Sequence, residues 1–136
     1  MLFRSPSDRE TKFVAQDFSS VAPAGLLWAP FLNNAVSYFA GFHGQEIFPD
    51  QILAGDRNVR LNPPYANCGN VNVTASPLLG SDTLLSWTNS IHLNQGNLLR
   101  ADGRVQQTST EGLKTIVGDL QVQVGITAAS HIVLPK

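Results

Sequence analysis

Charged side chains are scarce in this chain: Asp, Glu, Lys and Arg make up 14% of 136 residues. Nine basic residues stand against ten acidic ones, for a formal net charge of −1. The few Lys and Arg are scattered, so no basic face exists to follow a phosphate backbone, and nucleic acid is excluded as a partner. Cys68 is the only cysteine, which excludes an internal disulfide and an all-cysteine metal site. It sits in a Pro-, Asn- and Gly-rich stretch, residues 63–70, and reads as an inert loop thiol. No apolar run approaches the ~20 residues that span a bilayer. The longest, residues 25–32, is interrupted by Pro30. No basic segment leads into an apolar one at the start, so no secretory signal is read. No Gly-x-Ser-x-Gly elbow and no internal repeat occur.

What remains is an ordered, weakly charged chain, 43% hydrophobic, of a size for one domain over residues 1–136 with a single core. Asn, Gln, Ser and Thr carry most of the polarity, a balance that suits an extracellular or surface-assembled protein. Strand-like segments dominate. Residues 35–42 contain Val36, Tyr38 and Phe39, good strand formers. Residues 47–54 form a second strand broken at Pro49, Gly55-Asp56 a turn, and residues 58–61 a further strand. Residues 84–87 supply a third core strand, residues 71–74 and 132–134 short edge strands. Residues 5–8 resemble a helix cap with at most a turn or two behind it. Residues 22–34, punctuated by Pro23 and Pro30, form a loop over an apolar surface. Residues 62–77 form a long polar loop.

The most informative stretch runs from Asn89 to Gln107. Asn94-Gln95-Gly96 reads as a turn, residues 97–100 as a strand, and Asp102-Gly103 as a type I′ hairpin turn leading into residues 104–107. Thr108 and Glu111 fit a capping box, Leu113, Ile116 and Val117 share a helical face, and Gly118 fits a stop. Leu120-Gln121-Val122-Gln123-Val124 alternates, as a half-buried strand does. With no βαβ alternation, the class is α+β: an antiparallel sheet with one short helix.

His92 followed by nine residues and then Asp102-Gly103, inside Gly96-Asn97…Ala101-Asp102-Gly103-Arg104-Val105-Gln106, resembles the C-terminal signature of bacterial prepilin-type, pseudopilin-like proteins of the verrucomicrobial and planctomycete kind. Other segments agree in order. Residues 3–8 stand where that family opens, residues 36–41 resemble its SYFxG strand, residues 51–58 its ILAGDRN segment, and residues 131–135 its tail. The resemblance covers nearly the whole chain. It implies a pilin-like globular C-terminal domain without its long N-terminal helix. The family's basic leader and apolar assembly helix have no counterpart here, so the resemblance implies a shortened, soluble form of such a subunit. The function implied is non-catalytic: a structural subunit of a type IV pilus or type II secretion fibre. Its partners would be other pilin-like subunits, and it would meet the membrane only through the helix this chain lacks. Its place would be the periplasm or outer surface of a bacterium. The alternative is a free-standing extracellular binding module on the same sheet, recognising ligands through residues 62–77.

Candidate sites are weighed against that background. His92, Asp102 and Gly103 are read as a structural signature: the Asp-Gly pair makes a turn and His92 ties a loop to the backbone. Fully extended, the strand between His92 and Asp102 would hold them ~30 Å apart at ~3.3 Å per residue. The resemblance also raises calcium, with Asp82 and Asp102 as ligands, although the ion wants six to eight oxygens and no Asp-x-Asp spacing supplies them. No catalytic residue and no resident metal or cofactor is assigned. Asp56 and Arg57 are read as a surface ion pair, and Trp28 and Trp87 as core anchors. Asn72-Val73-Thr74 matches a glycosylation sequon, a short and unspecific motif.

Overall fold

A computed structural model of the protein describes residues 7–8, 37–43, 45, 47–61, 76–125 and 131–134. It is an α+β fold. Strands β1 (Tyr38–Gly41), β2 (Ile52–Asp56), β4 (Ser76–Pro77), β6 (Gln95–Arg100), β7 (Val105–Ser109) and β8 (His131–Val133) form one sheet in the order β4-β8-β1-β2-β6-β7. Every pairing in it is antiparallel. A second, two-stranded sheet joins β3 (Val59–Arg60) to β5 (Ser86–Trp87), and helix α1 runs over Thr110–Val124.

Pleat alternation selects the buried face. In β6 Leu98 and Arg100 turn inward with Gly96 at the start of the same stripe, while Asn97 and Leu99 are half-buried on the other side. On α1 the inward residues are Leu113, Val117 and Leu120, spaced as one helical stripe. These meet Phe39, Ile52, Leu78, Leu85, Trp87, Leu98 and Ile132 in one cluster. Burying each such large apolar side chain is worth about 1.5–3 kcal/mol.

The hairpin lies where the Asp-Gly pair places it, but it is not a type I′ turn. Gly103 has φ 83° and Asp102 is absent from the left-handed region. The Arg100 amide donates to the Arg104 carbonyl at 2.9 Å, and the Gly103 amide to the Arg100 carbonyl at 3.0 Å. That pattern is a type I turn followed by a left-handed glycine, a three-residue loop. The Asp102 Oδ1 accepts the Arg104 amide at 2.9 Å, which satisfies the turn without a second positive φ.

Gln95-Gly96 is not a turn. The chain reverses at Leu93 and Asn94, with φ 52° and 64°, and Gln95 already pairs with Ser109. Gly96 is needed for another reason: a Cβ there would lie 2.5 Å from the Trp87 ring. Gly55-Asp56 likewise belongs to β2, and a Cβ at Gly55 would lie 2.5 Å from the Phe39 ring. Residues 47–51 form turns, not strand; the Gln51 amide donates to the Phe48 carbonyl at 3.0 Å, and pairing begins only at Ile52, beyond Pro49.

The helix differs most. Its cap is Ser109, whose Oγ accepts the Gly112 amide at 3.2 Å, while Thr108 is a buried residue of β7. It passes through Gly118 and ends at Gly125, φ 79°. The alternating residues 120–124 are therefore helical: Leu120 completes the buried stripe and Val122 points to solvent, 88% exposed. Gly118 tolerates this position because tertiary burial on either side carries the helix across it. A Cβ at Gly118 would meet nothing within 4 Å. Gly118→Ala is accordingly expected to raise the unfolding free energy by about 0.5–1 kcal/mol, read as an increase in Tm by circular dichroism. A lowered Tm would mean that the site is more crowded than this geometry shows.

Three strand assignments change as well. The stretch 84–87 yields only Ser86–Trp87, paired with β3 outside the main sheet. The C-terminal strand is not an edge; β8 lies between β4 and β1. The expected loop at 62–77 contributes β4 at its end. Its remainder, with Cys68, the sequon and the expected edge strand at 71–74, lies outside the described residues, as do Trp28, the loop at 22–34 and all of the first segment except Ser7 and Asp8. Among the described residues no helix is long and apolar enough to cross a membrane.

Candidate functional site

Asp56 ends β2 on the face it shares with Asn97, opposite the core stripe, yet its carboxylate is 1% exposed. The partners come from the neighbouring strand and the loop before it. Oδ2 accepts the Asn97 amide at 2.6 Å and the Asn97 Nδ2 at 3.0 Å. His92 Nε2 stands 3.4 Å from the same oxygen and 3.2 Å from Asn97 Nδ2. With a proton on Nε2 the imidazole donates to Asp56; without one it accepts from Asn97. Either way His92 closes the residue 88–94 loop onto the paired strands β2 and β6.

The next two residues go elsewhere. Arg57 does not pair with Asp56. Its guanidinium grips Asp8 in a bidentate contact, Nε to Oδ2 at 2.9 Å and Nη2 to Oδ1 at 3.0 Å. Asp8 is fully buried and the Arg57 side chain 14% exposed, so this is not a surface pair. Such a pair is costly to break from one side, because the other charge is then stranded. Asn58 Nδ2 donates to the carbonyls of Thr88 at 3.0 Å and Gln95 at 2.9 Å, and its own carbonyl accepts the Thr88 amide at 2.6 Å. Three consecutive residues thus fasten the end of β2: Asp56 and Asn58 to the 88–97 stretch, and Arg57 to Asp8.

Burial is the main force on the Asp56 carboxyl and raises its pKa above the ordinary aspartate value; nearby Asp8 adds to this. The Asn97 amide, His92 and the Asn97 side chain oppose it. Tyr38, on the adjacent strand, is raised too, by burial first and then by Asp56 and Asp8. A His beside a buried carboxylate could serve in proton transfer if a reacting group reached it. Among the described residues the polar side-chain contacts of His92 are Asp56 and Asn97.

A second cluster closes the other end of β6. A cleft of about 130 Å³ is lined by Asp50, Arg100, Arg104, Ile116, Asp119, Leu120 and Gln123. Arg100, 5% exposed, donates from Nη1 to the Asp50 carbonyl at 2.9 Å, and Arg104 Nη2 meets Asp50 Oδ1 at 2.6 Å. Burial, then Arg104, lowers the Arg100 pKa. Two arginines and two aspartates here balance one another.

The signature residues are therefore not one site. His92 precedes β6 and Asp102 follows it, and six strand residues at ~3.4 Å each hold them roughly 20 Å apart. Asp82 and Asp102 each bind an amide two residues on, Leu84 at 2.8 Å and Arg104 at 2.9 Å, on separate loops. Among the described residues no three His, Cys, Asp or Glu side chains group to hold a metal. The residues that organise the molecule, Asp8, Asn58, Asn97 and Arg100, are not among the site residues singled out from the sequence, although Asp8, Asn58 and Asn97 fall within the segments that carry the resemblance. A further sequence trace is three polar residues, Asp56-Arg57-Asn58, in succession at the end of an apolar strand.

No family model, curated protein or solved structure matches this chain. The site's own geometry carries the functional argument.

Proposed function

We propose that the chain is the globular domain of a pseudopilin-like protein, a non-catalytic structural subunit of a type IV pilus or type II secretion fibre. One observation carries this reading: His92, the conspicuous member of the signature, serves as a clamp between the buried Asp56 and Asn97. The second half of the signature, Asp102-Gly103, is spent on a turn. Residues 51–58, read as the family's ILAGDRN segment, provide the carboxylate that His92 grips and the arginine that holds Asp8. Segments that carry the resemblance thus meet one another in space as structural joints. A scaffold of this kind rewards rigidity in each subunit, because packing errors repeat along a fibre. Its partners are other subunits of the same fibre, and its place is the periplasm or cell surface.

The test is cell fractionation in the bacterium that encodes it. An antibody to this domain is expected to stain appendages sheared from the surface and to co-sediment with them. Recovery of the mature protein only from the cytoplasm would overturn the proposal.

A further inference from the structure

The six-stranded sheet ends differently on its two sides. At one end stands β4, two residues long and containing Pro77, which has no amide hydrogen to offer. Short length and proline are two of the devices that keep an edge from pairing with another chain. At the other end stands β7, five residues with neither proline nor charge, VQQTS, in unbroken register with β6 from Gln95↔Ser109 to Leu99↔Val105.

The direction of its backbone groups follows from the hairpin. The Arg100 amide donates to the Arg104 carbonyl, so residue 104 faces β6. Antiparallel alternation then turns the backbone of residues 106 and 108 toward β6 and that of Val105 and Gln107 outward. Among the described residues no partner meets these outward groups. Residues 105–107 and 109 are exposed, Val105 by 67%. An open edge of this length, with its register already set, is a template for one more strand.

We propose that the added strand is β7 of a second copy, paired antiparallel about a two-fold axis at Gln107. That arrangement sets Val105 opposite the partner's Ser109 and Gln106 opposite the partner's Thr108. The two Gln107 carboxamides, each both donor and acceptor, become neighbours. Charge argues for the same occupant. Arg104, 51% exposed while its Nη2 also meets Asp50 and Asp102, precedes the strand, and the exposed Glu111 lies just beyond its other end. Antiparallel self-pairing sets each Arg104 beside the first turn of the partner's α1, which carries Glu111. Parallel pairing would set arginine beside arginine. The edge thus carries both halves of its own complement, and the sheet runs on continuously through both molecules.

Two measurements test the contact. In sedimentation equilibrium the mass is expected to rise from that of one chain toward twice that value between roughly 10 µM and 1 mM, the range for a small interface. Gln107→Pro removes an amide that β6 does not use, and is expected to weaken association about tenfold or more. Val105→Lys serves the same end should the proline variant fail to fold, folding being checked by circular dichroism. In a Cys68→Ser background, Gln107→Cys is expected to form an intermolecular disulfide at least tenfold faster than Val122→Cys, because facing residues at such an axis stand ~5.5 Å apart, within disulfide reach. A constant monomer mass overturns the proposal and leaves the edge to a strand of another sequence. So does association that Gln107→Pro and Val105→Lys leave unchanged, or equal cross-linking at positions 107 and 122.

Discussion

Trp87→Ala is expected to lower the unfolding free energy by about 3–5 kcal/mol, the range for truncating a fully buried large aromatic. The reason lies in how many segments the residue holds. Trp87 is 2% exposed, and its ring covers Gly96 of β6 so closely that no Cβ fits beneath it. The indole N–H donates to Thr108 Oγ1 of β7 at 3.1 Å, and its backbone amide to Thr110 Oγ1 of α1 at 3.1 Å. Truncation opens a cavity over a glycine, where no neighbouring side chain can collapse into it. It also removes the donor from the buried Thr108 hydroxyl. Trp87→Phe keeps most of the volume and should cost about 1–3 kcal/mol, part of it the lost hydrogen bond. The measurement is urea unfolding followed by far-ultraviolet circular dichroism. A cost below about 1 kcal/mol for Trp87→Ala would mean that the ring is not a core element. Against a total stability of about 5–15 kcal/mol, the expected loss leaves little margin.

Asp56→Ala should cost about 2–4 kcal/mol, because it leaves the Asn97 amide and Asn97 Nδ2 without an acceptor in a buried site. Asp56→Asn should cost much less. Its carbonyl oxygen, in the place of Oδ2, can still accept the Asn97 amide and Asn97 Nδ2. The two substitutions separate the role of the acceptor from the role of the charge.

The sign of the pH dependence follows from the raised carboxyl pKa. A carboxyl whose pKa is higher in the folded than in the unfolded state holds its proton more tightly when folded. Between the two values the native state binds more protons, so stability falls as pH rises through that window. The stability contributed by protonated Asp56 is fully present below the ordinary aspartate value and is lost as pH climbs through the raised one. Wild type is therefore expected to lose ground to Asp56→Asn as pH increases across the range just above ordinary aspartate. A difference that stays flat, or moves the other way, would show that Asn97 and His92 outweigh burial.

The Asp-Gly hairpin and the start of the helix are legible in the sequence because both rest on contacts within a few residues. Gly103 meets a turn's demand for positive φ, and the run of cap-forming residues at 108–110 marks the helix start to within one residue, although the cap itself is Ser109 and not Thr108. Errors begin where one local pattern has two meanings. Five alternating residues from Leu120 to Val124 satisfy a strand, yet Leu113, Val117 and Leu120 place them on a helix whose stripe began two turns earlier. Gly55 and Gly96 read as punctuation and prove to be space left for the rings of Phe39 and Trp87. Asp56 and Arg57 are adjacent and opposite in charge, but Asp56 ends the strand and Arg57 begins the bend after it, and each finds a distant partner.

The candidate cluster was half visible. His92 drew notice through its spacing from Asp102, although the residue it meets is Asp56, 36 positions earlier along the chain. Asn97 and Asn58 stand within the segments that carry the resemblance but have no role legible there, since an asparagine in a polar chain looks like solvent-facing surface until its amide is seen to bridge buried carbonyls and carboxylates.

By itself the sequence determined an α+β class, an antiparallel sheet, the site of its hairpin and the presence of one helix. These follow from propensities and periodicities that each segment carries alone. Only the tertiary structure decided the strand order, with β8 inserted between β4 and β1, the cap and length of α1, the Arg57–Asp8 grip, and the clamp of His92 on Asp56. Those choices depend on which distant segments share a dry, crowded interior, where an unpaired charge or a misplaced methyl group costs more than any local preference returns.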